Sequence, residues 1–481
     1  MSNNQKVLRA TKWSVFSEIL AKIISPITTI VLARLLSKEA FGIIASLTAI
    51  TSMVDLLSDA GFNAYIVQHI FKTEKEKKST YNICFWTNVS IAIILFVIIV
   101  HNKDFFARLV GAEGYGNVLI VASVVIPMVS VSSIEMAIMK KELNFKSLGV
   151  IKIVSKLIPF FVTIPLALYG YGYWSLVYGS LTGEFVGMIL CLYHGKYLPT
   201  FTYPIQYLKG IFSFSLWAYL ESILEWLIGN VSILVLATLY GMAELGIFKV
   251  AVNLVTQIMT SVYALYSNVF KSAIAKEQND LENFRKMFLT FQKYASFVSL
   301  PLGIGVFLYR DFVTELMLGK EWIDASIVIG LYSLTYTASV SFGNFYSDAI
   351  RAKGYPRKLV EVDSVYLILI VVLLCVASNL PFFTFCVIFS ILKLIQPILQ
   401  AYFGRKICRV PFSILLRNSY PQIGGAVTMF LSYYIITSLM TNVLAVYISA
   451  LISIVSYTVV TYILSPDKDI LKGIILRIRG N

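Results

Sequence analysis

The feature that most limits the fold of this chain is a series of apolar runs, each close to membrane-spanning length. A helix needs about 20 residues to cross roughly 30 Å of hydrocarbon. Only 14% of the residues are charged, against about 25% in a typical soluble domain. The runs are continuous, unlike the alternating strands of a membrane barrel. Fourteen runs lie at roughly 12–34, 40–62, 81–101, 117–139, 148–169, 174–194, 211–237, 244–268, 291–313, 325–348, 361–379, 382–404, 418–438 and 442–464. We therefore predict an all-α polytopic membrane protein with about 14 transmembrane helices.

Positive charge is divided unequally between the two ends of these helices. Of the 40 Lys and Arg residues, 29 fall in alternate connections and the two tails, and six fall in the other connections. Cytoplasmic connections are the ones enriched in Lys and Arg, so both termini are predicted to be cytoplasmic. The net charge of +14 is then explained by loops that face anionic lipid, and no nucleic-acid partner is predicted.

The sequence contains no pattern typical of catalysis. It has no Gly-rich phosphate-binding loop for ATP, and its three histidines are far apart. The five cysteines show no C-x-x-C spacing that would indicate zinc or a disulfide. The connections on the outer side are also too short to hold a catalytic domain. We predict a protein that is not an enzyme, with no catalytic residues, no metal and no cofactor.

An internal repeat predicts how the spans are organised. Residues 31–43 and 235–247 are identical at six of thirteen aligned positions, and the same offset aligns Trp13 with Trp217. Six spans separate the copies, so both copies enter the membrane from the same side, as in a parallel repeat. The predicted regions are an N-lobe at 1–200 with spans 1–6, a C-lobe at 201–405 with spans 7–12, and 406–481 with spans 13–14 and a cytoplasmic tail.

Ionisable side chains inside the runs are the candidate functional residues. A charge at the bilayer centre costs about 2.5–3.5 kcal/mol on insertion scales, so it faces a partner or water. Four cations are predicted to line a wet central cavity that attracts phosphate oxygens: Lys22, Lys156, Lys393 and Lys152. Four carboxylates are predicted to handle a coupling ion: Asp55, Glu221, Glu225 and Glu18. Alternatives remain open, namely an internal ion pair between Glu18 and Lys22, and snorkelling of Lys152 to the interface.

Several segments resemble the polysaccharide transporter family. They are VLARLLSKEAFG at 31–42, SDAGFNAYIVQ at 58–68, KKELNFKSL at 140–148, GYGYWSLV at 170–177 and LGIFKVAVNLVTQI at 245–258. This family holds the Wzx-type exporters of O-antigen and teichuronic acid units, within a superfamily that includes MATE drug exporters and the lipid II flippase. The resemblance implies a V-shaped, two-lobed transporter that flips an undecaprenyl-diphosphate-linked oligosaccharide from the cytoplasmic to the outer leaflet by alternating access. It also implies the bacterial cytoplasmic membrane as location, with H⁺ or Na⁺ and polysaccharide polymerase or assembly proteins as partners.

The charge of the implied substrate predicts a driving force. A diphosphate that moves out of a negative interior gains about 2.3 kcal/mol per charge per 100 mV. Two other functions stay open. A MATE-like, cation-coupled multidrug antiporter would need a net acidic and aromatic cavity to hold organic cations. In a scaffold for polysaccharide enzymes, the charges inside the membrane would have no purpose beyond pairing with one another.

The charge distribution predicts which engineered cysteines meet the outer medium. In a variant whose five native cysteines are replaced by alanine, Arg108→Cys should react with a membrane-impermeant maleimide in sealed spheroplasts. Lys75→Cys should react only after permeabilisation, because its loop is predicted to be cytoplasmic. The reverse labelling pattern would show that the orientation is inverted.

Overall fold

The fold was analysed on a computed structural model, which describes Trp13, Ser17 and residues 20–22, 24–59, 61–195, 197, 199–203, 208–277, 280–377, 379–440 and 443–465. Throughout these residues the regular structure is helical, which confirms the predicted all-α class. Thirteen helices in this part of the chain are long and apolar enough to cross a membrane, and a shorter apolar helix precedes them. The total of fourteen spans and the three-part lobe division remain predictions.

The helices divide between two compact units. Unit 1 comprises Met1–Val250 and Val371–Ser378, and unit 2 comprises Ala251–Ile370 and Asn379–Asn481. The helices that begin in unit 1 are α1 (Leu20–Ala33), α2 (Lys38–Asp59), α3 (Phe62–Gln68), α4 (Glu74–His101), α5 (Lys103–Leu109), α6 (Gly116–Ser123), α7 (Val125–Lys141), α8 (Phe145–Leu168), α9 (Tyr173–His194), α10 (Leu208–Leu239) and α11 (Met242–Lys276). The others are α12 (Leu281–Leu308), α13 (Arg310–Met317), α14 (Ser326–Ala338), α15 (Asn344–Ala352), α16 (Pro356–Ala377), α17 (Phe382–Leu392), α18 (Ile395–Cys408), α19 (Phe412–Asn418), α20 (Tyr420–Leu439) and α21 (Val443–Leu464).

In unit 1, helices α8 and α9 pack closely because α9 carries glycine at every fourth position on one face. A Cβ atom added at Gly179, Gly183 or Gly187 would collide with α8 residues one turn apart. The residues met on α8 are Thr163, Pro159 and Ser155, in that order. Small residues at such spacing let helix backbones approach closely in membranes. The pair thereby forms one wall of the first of the two cavities described below.

The two copies of the sequence repeat meet at the beginnings of α2 and α11. A Cβ atom added at Gly42 would collide with the carbonyl oxygen of Met242, and one at Gly246 with the carbonyl oxygen of Lys38. Gly246 is the repeat equivalent of Gly42, and Met242 is that of Lys38. The contact is therefore reciprocal, and each copy supplies the glycine that admits the backbone of the other.

The segment after α9 docks on α4 through an asparagine. Asn82 Nδ2 donates to Thr200 Oγ1 at 2.5 Å and to Thr202 Oγ1 at 2.7 Å, and Tyr197 donates its hydroxyl proton to Asn82 Oδ1. Burial raises the pKa of Tyr197, so the phenol stays protonated and able to donate. The ring of Trp86 stacks on Phe201 with centroids 5.0 Å apart. These contacts hold the segment that follows α9 against α4.

Unit 2 has an aromatic core with a polar network beside it. Thirteen buried side chains form the core, among them Phe270, Phe288 and Phe345. In the network, fully buried Gln292 donates to Ser419 Oγ at 2.8 Å, and its Oε1 accepts from Asn418 at 2.7 Å. Buried polar groups are costly unless they are paired. The network therefore fixes how α12 packs against the ends of α19 and α20.

The reciprocal glycine contact predicts a position-specific loss of stability. Gly42→Ala should lower the melting temperature of the purified protein, because its methyl group meets backbone atoms of Met242. Overpacking of this kind costs about 1–3 kcal/mol. Gly229→Ala is the matched control, since the space around Gly229 is open and alanine is the better helix former by about 1 kcal/mol. Equal melting temperatures for the two variants would contradict the close contact.

Candidate functional site

Unit 1 contains a cavity of about 680 Å³ between α7, α8 and α9, called here the lysine cavity. Lys140, Lys152 and Lys156 line it, together with Glu184 as its acidic residue. Among the described residues of the lining, three ammonium groups stand against one carboxylate, so this part of the lining is net positive. Serine hydroxyls and apolar side chains complete the wall, namely Ser17, Ser132, Ser155, Val67, Met136, Leu143, Phe145, Leu148 and Ile151.

Helix α8 presents its two lysines from one face. Lys152 and Lys156 are four residues apart, which places them one above the other on one face of the helix. Both side chains are exposed, and both line the cavity. One turn earlier, Gly149 allows the chain near Ser17 to approach, since an added Cβ atom would lie 2.9 Å from Ser17 Cβ. The structure thus places Lys152 and Lys156 on one cavity of unit 1, and their role in binding a substrate remains a prediction.

A second cavity of about 560 Å³, called here the acidic cavity, lies between α2, α4, α7 and α10. Asp55, Asp59 and Glu225 line it, and Lys140 is the cation on its wall. Neutral polar groups and one indole add to the lining, namely Ser52, Asn63, Asn88, Ser133, Ser222 and Trp226. Met136 and Lys140 line both cavities, so the two adjoin along α7.

The charged side chains of the two adjoining cavities interact with one another. Asp55 and Asp59 repel each other from adjacent turns of α2, and Asp55 is also repelled by Glu184 of the lysine cavity. Lys140 attracts Asp59. The carboxylate of Asp59 further accepts from Asn63, at 3.3 Å from the backbone nitrogen and 2.7 Å from Nδ2. The two cavities therefore influence each other through Lys140, which lines both, and through the repulsion between Asp55 and Glu184.

Lys22 and Glu221 belong to unit 1 but line neither of these two cavities. Lys22 is half-buried on α1, five residues after Ser17. Glu221 is buried on α10, one turn before Glu225. Glu18 lies outside the described residues. The ion pair considered between Glu18 and Lys22 therefore stays a prediction.

Lys393 belongs to unit 2 and has its own surroundings there. It lies where α17 ends and before α18 begins. Its ammonium donates to Gln396 Oε1 at 2.7 Å and lies 5.6 and 5.8 Å from the ring centroids of Tyr336 and Tyr366. Buried Asp363 attracts it. These groups stabilise the charge within unit 2.

Sequence reasoning missed several residues of the two cavities. The sequence places Lys140 in a connection predicted to be cytoplasmic, outside the spans, yet in the structure it lies on α7 and lines both cavities. Asn63 and Asn88 carry no charge, so a search for ionisable residues passes over them. The signal that could have found Asn63 is its position four residues after Asp59, on the same face.

Comparisons with known proteins agree with this architecture. A family model described as "Polysaccharide biosynthesis protein" matches residues 31–327, more than half of the chain. The lipopolysaccharide biosynthesis protein WzxC of Escherichia coli is 24% identical over 74% of this chain and 71% of its own length. The succinoglycan biosynthesis transport protein ExoT of Rhizobium meliloti is 22% identical over 69% of this chain and 67% of its own.

A solved structure shows the same fold. The lipid II flippase MurJ in an inward closed conformation superposes with a TM-score of 0.75 at 16% identity, over 94% of this chain and 98% of that one. The family resemblance predicted from the sequence segments is confirmed by these matches.

A charged cluster in unit 2 predicts a stability effect away from both cavities. Asp348 is 3% exposed, accepts the hydroxyl proton of Tyr263, and has Lys271 Nζ 3.5 Å from its Oδ1. Asp348→Leu should destabilise the protein by about 1–3 kcal/mol, because the Tyr263 hydroxyl loses its acceptor. Thermal unfolding of the purified variant measures this.

Asp311→Leu is the matched control for that change. The Asp311 side chain is 66% exposed, and its Oδ1 lies 3.8 Å from Nε of Arg310. Substitutions at such surface positions usually change the free energy of unfolding by no more than about 0.5 kcal/mol. If both leucine variants unfold at the wild-type temperature, the Asp348 cluster does not stabilise unit 2.

Proposed function

Because this chain belongs to the polysaccharide biosynthesis protein family, we propose that it is a flippase for a lipid-linked sugar. Its substrate is an undecaprenyl-diphosphate-linked oligosaccharide, the repeat unit of O-antigen or of another surface polysaccharide. Transport runs by alternating access from the cytoplasmic to the outer leaflet of a bacterial cytoplasmic membrane, with both termini of the chain on the cytoplasmic side. Polysaccharide polymerase or assembly proteins act on the delivered product.

The physical need for such a protein lies in the sugar headgroup. Each hydroxyl taken into hydrocarbon without a hydrogen-bond partner costs several kcal/mol, so a headgroup with many hydroxyls crosses an unassisted bilayer far too slowly. A hydrated cavity inside the protein removes this barrier, while the polyprenyl tail stays in lipid. Neither step requires a covalent change, which agrees with a transporter rather than an enzyme.

The observation that carries the proposal is the net positive lysine cavity inside a unit built from membrane-spanning helices. Lys152 and Lys156, with Lys140, offer ammonium groups to a diphosphate, and charge-assisted hydrogen bonds to phosphate oxygens are about twice as strong as neutral ones. A cavity of about 680 Å³ is in the size range of small-molecule sites. Lys22 and Lys393 are proposed as further diphosphate contacts during the cycle.

The driving force follows from the charge of the substrate. Outward movement of a diphosphate is favoured by the membrane potential, by about 2.3 kcal/mol per charge per 100 mV. We propose that H⁺ or Na⁺ exchange adds to it at the carboxylates. Asp55 and Glu225 are the foremost candidates because both line the acidic cavity, and Glu221 and Glu18 are secondary ones.

One observation favours a second function, a MATE-like multidrug antiporter. The acidic cavity holds Trp226 beside Asp55, Asp59 and Glu225, a combination that suits organic cations. The two functions differ in which cavity they need. A drug antiporter depends on Glu225 and tolerates loss of the lysines, whereas a flippase of an anionic substrate depends on the lysines.

Removing the two lysines of α8 tests the proposed function. The double variant Lys152→Gln with Lys156→Gln should flip a lipid-linked oligosaccharide at least about tenfold more slowly in proteoliposomes, since a hydrogen bond to a charged group contributes about 1.5–3 kcal/mol. Lys103→Gln, which removes a cation on α5 that donates to Asn117 at 2.5 Å, should flip at the wild-type rate.

Export of a cationic dye by the same proteoliposomes separates the two functions. Wild-type flipping by the lysine variant, together with dye export that is lost in Glu225→Gln, would favour the drug antiporter. In cells, the double lysine variant should accumulate the lipid-linked sugar on the cytoplasmic leaflet. Unchanged surface glycan in cells that carry this variant would argue against a flippase.

A further inference from the structure

We propose, on the basis of the proposed function, that Leu143 determines which diphosphates the lysine cavity accepts. Its side chain contacts the apolar chain that is joined to the phosphates of the substrate, while Lys140, Lys152 and Lys156 contact the phosphates themselves. The lysines alone attract any diphosphate. An apolar contact beside them selects a diphosphate that carries an isoprenoid chain, so the cavity recognises both parts of the lipid end.

The backbone of Leu143 adopts a conformation that leucine rarely takes. Its φ angle is +58°, and Leu143 and Arg409 are the residues other than glycine with positive φ in the part of the chain that the structure describes. This left-handed conformation brings the β-carbon of an L-residue too close to the following carbonyl oxygen. Strain of this kind is concentrated at functional sites, where the surrounding structure maintains it.

Leu143 follows α7 at a position where glycine is the usual residue. Its nitrogen donates to the carbonyl of Lys140 at 3.1 Å, and the nitrogen of the next residue donates to the carbonyl five residues earlier at 2.9 Å. This pair of hydrogen bonds defines a helix end in which the left-handed residue is most often glycine. Helices α8 and α15 end in the same pair of hydrogen bonds, with Gly170 and Gly354 at this position. The turn itself therefore does not require a leucine.

The side chain of Leu143 is accessible to a ligand. It is 46% exposed and lines the lysine cavity. The next residue, Asn144, begins α8, and its Oδ1 accepts from the backbone nitrogen of Ser147 at 3.3 Å. Two helix ends thus hold the backbone of Leu143 from both sides, and a preorganised contact loses little entropy on binding. A half-exposed leucine gains only part of its burial free energy in the free protein, and a ligand that covers it supplies the rest.

The lining near Leu143 indicates the kind of ligand. Val67 of α3 is 39% exposed and lines the same cavity, so two accessible apolar side chains accompany the lysines. The hydrogen bond between Leu143 and Lys140 keeps an apolar contact within one turn of an ammonium group. Inorganic phosphate has no apolar part for these side chains to cover. A phosphate joined to a hydrocarbon chain has both parts, and such a chain belongs either to a polyprenyl diphosphate or to a membrane phospholipid.

Binding of soluble probes to the purified full chain tests this role without any transport. In isothermal titration, corrected for titration into empty micelles, the wild type should bind geranyl diphosphate at least about fivefold more tightly than inorganic pyrophosphate, because only the former covers apolar surface. Leu143→Asn should bind the two probes equally, with its affinity for pyrophosphate unchanged. Asparagine tolerates the left-handed conformation, so this variant changes the polarity of the side chain and preserves the turn.

Three further variants separate ligand contact from folding. Leu143→Gly has the residue that suits the turn best, so its melting temperature should equal or exceed that of the wild type while the preference for geranyl diphosphate is lost. Leu143→Met keeps an apolar side chain and should keep the preference. Leu109→Asn is the matched control, since Leu109 is 56% exposed on α5 and the described lining of the lysine cavity does not include it. This control should bind both probes like the wild type.

Three results would overturn the role of Leu143. They are equal binding of the two probes by the wild type, an intact preference in Leu143→Asn, and melting temperatures of both Leu143→Gly and Leu143→Asn below that of the wild type, which would show a structural role. Phosphatidic acid that displaces geranyl diphosphate as strongly as unlabelled geranyl diphosphate does would overturn the isoprenoid assignment in favour of a phospholipid. Absence of flipping by the wild type with an intact preference for geranyl diphosphate would count against the proposed function alone.

Discussion

The structure depends on one constraint, the cost of placing charge inside apolar helices. Every ionisable side chain in these spans must meet water, an opposite charge or a polar ligand. The two units show both solutions. In unit 2, Lys393 is stabilised by an amide and two aromatic rings. In unit 1, Lys152 and Lys156 instead face a cavity large enough to hold another molecule. The two environments differ: Lys393 is held by its neighbours in unit 2, whereas Lys152 and Lys156 lie on a cavity wall.

Sequence patterns predicted much of the fold for a physical reason. Span length and the absence of alternation depend only on the thickness of the bilayer and on backbone hydrogen bonding, so they are readable residue by residue. The pairing of Lys152 with Lys156 followed likewise from helix periodicity. The surroundings of Lys393 could not be read in this way, because Tyr336 and Asp363 come from helices distant in sequence. Asn88 could not be found from the sequence either, because its place on a cavity wall depends on how α4 packs.

Residues that line both cavities of unit 1 connect their electrostatics. Helix α7 separates a net positive cavity from a net negative one, and Lys140 near its end belongs to both. Asp59 lines one cavity and Glu184 the other, so a change of charge in either cavity alters the electrostatic balance at Lys140. Charges near a protein surface a few ångströms apart still interact by a few kcal/mol, and this coupling requires no rearrangement of the backbone. A short stretch of α7 thus couples the charges of two adjoining cavities.

The reciprocal contact between Gly42 and Gly246 has the form of a symmetric dimer interface, in which each surface patch meets its own counterpart. Here both patches sit on one polypeptide, as though two identical subunits had been joined end to end. A larger residue at position 42 or 246 would press on backbone atoms of the other copy. Because a backbone carbonyl cannot be shortened, no side-chain substitution in the opposite copy would relieve that clash.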